Sequence, residues 1–86
     1  MIIEQINSIA LLFDFYGIML TNMQQDVIKL YVFNNLSLSE IAEQFGTTRQ
    51  AVKDLLDRSI EILNNYEHKL EFIKKYKCTQ ELLINT

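Results

Sequence analysis

With 86 residues, no proline and only two glycines, the chain suits one small domain, 1–86, with a modest core and no linker-like stretch. Eight Lys and Arg against eleven Asp and Glu give a formal charge of −3, an unusual balance for a domain whose main task is gripping phosphates. The single cysteine, Cys78, excludes a disulfide frame and a thiolate zinc cluster, and it is compatible with a reduced cytoplasm.

The N-terminal apolar stretch is preceded by no basic residue and is broken up by Glu4, Asn7, Ser8 and Asp14. Neither a signal peptide nor membrane insertion is expected. No run alternates polar and apolar residues at period two for long enough to argue for a sheet, so the expected fold class is all-α.

The first helix is predicted from about Ile2 to Tyr16. At 3.6 residues per turn Ile2, Ile6, Ile9, Phe13 and Tyr16 share one face, while Leu11, Phe15 and Ile18 lie nearly opposite. A helix that is apolar on two sides needs two neighbours: either it sits centrally, or Leu11 and Phe15 meet a second chain. Gly17 then relaxes the helix. Thr21 and Gln24 have capping-box spacing behind Leu20, which predicts a second helix from about Asn22 to Phe33, with Met23, Val27, Ile28 and Tyr31 as its core stripe and Asn34-Asn35 as its end.

From Ser37 to Arg58 the chain reads as a helix-turn-helix. Ser37 with Glu40 forms a second capping box, Gly46 supplies the positive φ that ends the helix, and Thr48 caps the next one. Ala42 is small where two crossing helices approach, and Ile41, Phe45, Val52 and Leu55 fall where such a motif buries its inner faces. The third helix is expected over about Leu38 to Gln44, and the fourth begins at Arg49. Val52, Leu56, Ser59, Leu63, Tyr66, Leu70 and Ile73 then recur at alternating four- and three-residue steps, a heptad seam with no stop signal. That seam packs on the first two helices of its own chain or pairs with another copy. A short segment from Thr79 to Ile84 ends the sequence.

In a helix-turn-helix the first turns of the second helix reach base edges in the major groove. At about 100° per residue, Arg49, Gln50, Lys53, Asp54 and Asp57 share one arc, opposite Val52, Leu55, Leu56 and Ser59. Arg49 has the donors for guanine, Gln50 the pairing for adenine, and Thr48 or Lys53 a phosphate contact. Asp54, Asp57 and Glu61 oppose the counterion release that drives duplex binding, and they make the full strip net negative. The plain alternative is a solvated face of spaced ion pairs. A second basic group, Lys69, Lys74, Lys75 and Lys77 with Phe72 and Tyr76 interleaved, suits either a helix C-terminus or a contact with RNA phosphate or an acidic partner.

Catalysis finds little support. His68 is a lone imidazole on a polar face, there is no glycine-rich phosphate loop, and no cofactor or metal site is expected.

Asp14-Phe15-Tyr16, Leu20-Thr21, the run Leu36 to Phe45 and Thr48-Arg49-Gln50-Ala51-Val52 together resemble the YlxM family of small bacterial helix-turn-helix proteins, over roughly Glu4 to Tyr76. The motif alone also resembles region four of bacterial sigma factors; the Asp-Phe-Tyr and Leu-Thr prelude favours YlxM. The resemblance implies an all-helical cytoplasmic regulatory protein associated with the signal recognition particle pathway, with particle protein or RNA as partner and no enzymatic activity. Two departures bear on duplex binding: Thr47 stands where the motif usually has an aliphatic residue, and the recognition face is acidic. The competing reading is a transcription regulator that places Thr48, Arg49, Gln50 and Lys53 on DNA. The seam and the two-sided first helix add the expectation of a homodimer.

Overall fold

The computed structural model describes residues 3–77, with side-chain surroundings from residue 5 onward. Ile2, Cys78 and the predicted segment from Thr79 to Ile84 lie outside the described residues. Helices and turns account for the described fold, with no strand among these residues. Helix α1 (Ile3–Tyr16) gives way to a 3-10 turn, Gly17–Met19. Helix α2 (Asn22–Ile28) widens into a π turn, Lys29–Phe33, before α3 (Leu38–Phe45) and the long α4 (Arg49–Leu70). A last helical segment, α5, occupies residues 72–77.

The predicted starts and stops are present as specific hydrogen bonds. The Thr21 hydroxyl accepts from Gln24 N–H at 3.2 Å and the Gln24 side chain accepts from Thr21 N–H at 3.0 Å. Ser37 and Glu40 repeat the exchange at 3.1 and 3.0 Å. Each box satisfies two donors that a helix start would otherwise leave open. At Asn35 the chain turns left-handed, with φ 59°, a conformation that asparagine tolerates better than most residues. Just before it, Asn34 N–H reaches back five residues to the Lys29 carbonyl at 3.0 Å. The widened turn was not legible from the apolar spacing, because a single π turn of five residues is too short to shift the period.

The core is built on α4, which packs against α1, α2 and α3. Val52, Leu56, Ser59, Leu63 and Ile73 are buried, and Tyr66 and Leu70 are partly so. The seam therefore closes within the chain. Ser59 is its one buried polar member, and its hydroxyl donates to the Leu55 carbonyl at 2.7 Å, which leaves no orphaned group in the close-packed strip. Val27, Ile28 and Ile41 are fully enclosed, and Ala42 is buried on α3.

Three expectations need correction. Met23 is not a core residue; it is 59% exposed on the first turn of α2, where it lines an open groove with residues of α3 and α4 instead of the closed core. On α1, Ile9, Leu12 and Tyr16 are the buried side chains, so Leu12, which the two-stripe projection left out, belongs to the core. The fourth helix does not run on through Ile73. It stops at Leu70, because Glu71 adopts a left-handed conformation with φ 54° and ψ 32°.

Candidate functional site

The turn of the helix-turn-helix follows from its backbone bonds. Gly46 sits at φ 67° and ψ 38°, its N–H donating to Glu43 O at 3.3 Å, while Thr47 N–H donates to Ala42 O at 3.0 Å. This pair of bonds is a Schellman closure, and it terminates α3 within one residue. Thr48 then opens α4, its hydroxyl accepting from Ala51 N–H at 3.1 Å. Thr48 is thus committed to the cap, which leaves its hydroxyl a donor for a phosphate but not a free side chain.

Beyond the cap, Arg49, Gln50, Lys53, Asp54 and Asp57 are all exposed, as the projection predicts. They are not independent. Gln50 Nε2 donates to Asp54 Oδ1 at 3.0 Å, and Lys53 Nζ pairs with Asp57 Oδ2 at 2.9 Å. Each pair spans one helical turn, and with both members of the Lys53–Asp57 pair about half exposed it contributes only about 0.3–0.5 kcal/mol. Its importance is chemical. The two side chains suited to an adenine edge and a phosphate are each held by a carboxylate of the same face. Among the described residues Arg49 is the remaining cation of that first turn, with no ion-pair partner.

The inner faces of the motif close incompletely. Ile41 and Val52 are buried, but Phe45 and Leu55 are only half covered. With Met23, Thr47, Ala51 and Val52 they line a groove of about 320 Å³. Thr47 is part of that wall and stays exposed.

The second basic group is divided by the break at Glu71. Lys69 lies in the last turn of α4, where the macrodipole favours it, whereas Lys74, Lys75 and Lys77 lie on α5. All four are exposed, and Lys74 Nζ stands 3.8 Å from Glu71 Oε2. Leu11 and Phe15, the candidates for a contact between chains, are half-buried within their own chain, and the Phe15 ring meets Tyr76 edge to face at 5.7 Å. His68 is exposed.

What the sequence reading missed is the corner that joins these parts. Tyr16, 1% exposed, stacks nearly parallel with Tyr66 and Phe72 at 6.2 and 6.0 Å between centroids. Its hydroxyl donates to Glu67 Oε1 at 2.5 Å and accepts from Phe72 N–H at 3.1 Å. The same carboxylate accepts from Ile73 N–H at 3.1 Å and Lys74 N–H at 3.2 Å, so Glu67 caps α5 from the preceding helix. Burial pushes the Glu67 carboxyl upward, but the Tyr16 hydroxyl, the two N–H donors and the charge of Lys77 outweigh it and hold it below the usual carboxylate range. Burial, with the Glu67 carboxylate beside it, pushes the Tyr16 phenol up. No spacing rule announces a glutamate as cap for a helix that starts five residues later; the Asp-Phe-Tyr motif was the one visible signal, and its tyrosine is the structural member of the three.

Caps, a glycine-closed turn and an exposed polar strip on the first turns of α4 define a helix-turn-helix protein. The family described as "UPF0122: Putative helix-turn-helix protein, YlxM / p13 like" matches residues 3–86. The chain belongs to this family. Similar proteins include a UPF0122 protein of Desulforamulus reducens, 46% identical over 94% of this chain and 69% of the relative. UPF0122 protein STH1464 of Symbiobacterium thermophilum is 44% identical over 93% of this chain and 75% of its own length, and a UPF0122 protein of Streptococcus gordonii is 43% identical over 94% and 74%. Among the described residues no group of three or more His, Cys, Asp or Glu could hold a metal ion, and no helix is long and apolar enough to cross a membrane.

Proposed function

We propose that this chain is a non-enzymatic regulatory helix-turn-helix protein of the signal recognition particle pathway, working in the cytoplasm through protein contacts and basic side chains rather than by reading a duplex. The observation that carries the second half of this reading is the self-pairing of the recognition face: Gln50 with Asp54 and Lys53 with Asp57. A duplex reader would have to break both pairs and bring two carboxylates toward phosphate, against the counterion term. The link to the particle rests on the YlxM-like motifs, Asp14-Phe15-Tyr16 and Leu20-Thr21 before the helix-turn-helix, and on the family membership. The lysines at 69, 74, 75 and 77 supply the basic contact with RNA or an acidic surface, and a second copy of the chain, meeting at the part of Leu11 and Phe15 left uncovered, is the further partner.

A second reading has its own observation. Arg49 is exposed on the first turn of α4, beside the Thr48 cap, where a helix-turn-helix presents side chains to base edges and an arginine has the donors for guanine. Under that reading the protein is a sequence-specific transcription regulator using Thr48, Arg49, Gln50 and Lys53. Capture of the tagged chain from its native cytoplasm separates the two: recovery of particle protein or RNA, lost when Lys74, Lys75 and Lys77 are replaced by glutamine, supports the first, while recovery of DNA fragments sharing one sequence, lost with Arg49→Ala, replaces it with the second.

A further inference from the structure

The end of α4 presents a contradiction between sequence and shape. The heptad seam runs from Val52 to Ile73 without proline or glycine, which favours one continuous helix. The backbone nevertheless breaks at Glu71, a residue with a β-carbon held in the left-handed region at φ 54°. A non-glycine residue stays there only where its surroundings over-determine it. Those surroundings converge on two side chains. Glu67 and Tyr16 between them account for the hydrogen bonds of the Phe72, Ile73 and Lys74 N–H groups, three donors that a continuous helix would satisfy through its own carbonyls. In the bent shape Ile73 is buried from α5, and Phe72 and Tyr76 add ring contacts with Tyr16 and Phe15; in a continuous helix the heptad spacing would keep Ile73 in register with the seam.

We propose that Glu71 is a latched bend: the Glu67 carboxylate and Tyr16 hydroxyl hold residues 72–77 against α1, and breaking that latch lets α4 run straight through Glu71, carrying Lys74, Lys75 and Lys77 away from α1. The latch thereby sets the direction of the basic arm. The bend is independent of any partner, because every contact that holds it lies in one corner of the chain.

The full chain tests it, with Cys78→Ser as background and nitroxide labels on Arg58→Cys and Lys77→Cys, both exposed positions; the lost Lys77 charge, the smallest support of the Glu67 carboxylate, is common to the labelled parent and the latch variants. A straight helix places these backbones about 28 Å apart, 19 residues at 1.5 Å each. Electron dipolar spectroscopy is expected to give a shorter distance for the doubly labelled parent. A narrow population near the straight-helix value is expected for Glu67→Ala and for Tyr16→Phe, with helicity by circular dichroism kept or increased. Glu71→Gly, which accepts the left-handed turn without a β-carbon, is expected to retain the short distance alone. A short distance in both latch variants would mean that packing of Ile73 and Tyr76 makes the bend, and the proposal fails. It fails equally if the distance becomes broad and helicity falls, because Glu67 would then be a cap on a segment with no second ordered state.

Discussion

Gly46 holds a left-handed conformation in which a β-carbon would meet nothing within 4 Å, so the turn makes its demand on the backbone alone. Gly46→Ala is therefore expected to fold with an unchanged helix content and to lose about 1–2 kcal/mol in denaturant unfolding, the cost of a left-handed L-residue. Gly17 is the opposite case. A β-carbon there would stand 3.0 Å from two Phe13 ring atoms, and the ring leans on Phe33, at 5.7 Å between centroids, so a substitution must displace a packed aromatic pair. Glu67 acts through charge. Its carboxyl lies below its ordinary value near 4.5, so the unfolded chain binds the proton more tightly than the folded one. The stability it contributes is complete above that value and is lost as pH falls through the lower, folded one. Tyr16 has the reverse sign: its raised phenol contributes stability that is complete below about 10 and lost as pH climbs through the folded value. A stability profile measured against pH is expected to fall at both ends, and Glu67→Gln is expected to flatten the acid limb.

At the scale of elements, the helix-turn-helix was almost wholly legible because each of its boundaries is a local event. Ser37 and Glu40 cap α3, Gly46 ends it and Thr48 opens α4, and every one of these interactions spans three to five residues. Replacing Ser37 by alanine is expected to cost about 1 kcal/mol of unfolding free energy, since the Glu40 N–H loses its acceptor. The polar face of α4 was legible as a set of residues, and its pairing of Gln50 with Asp54 and Lys53 with Asp57 follows from the four-residue spacing. What was not legible joins residues far apart in the chain. Tyr16 meets Glu67 across 51 positions and Phe72 across 56, and no periodicity in either helix encodes that meeting. The exposure of Met23 escaped for a related reason: its spacing fits the α2 stripe, but at that first turn the stripe faces an open groove with Phe45, Ala51 and Leu55 and not the closed core.

For the molecule as a whole, a helix-turn-helix architecture and the use made of it separate. Family membership supports a regulatory nucleic-acid-binding protein in the broad sense, while the recognition face of this chain carries Arg49 and Lys53 against Asp54, Asp57 and Glu61. Self-association belongs to the same scale: a proposed homodimer through Leu11 and Phe15 predicts twice the chain mass by light scattering at high concentration, reduced to one chain mass by Phe15→Ser. The claim that the motif serves as a scaffold for other contacts is tested most directly by fluorescence anisotropy with random-sequence DNA duplex, titrated at low and at moderate salt. No salt-sensitive duplex binding is expected of the parent chain, and such binding is expected to appear in Asp54→Asn/Asp57→Asn, which removes two opposing charges. Salt-sensitive duplex binding by the parent chain, weakened by Arg49→Ala, would contradict the scaffold role.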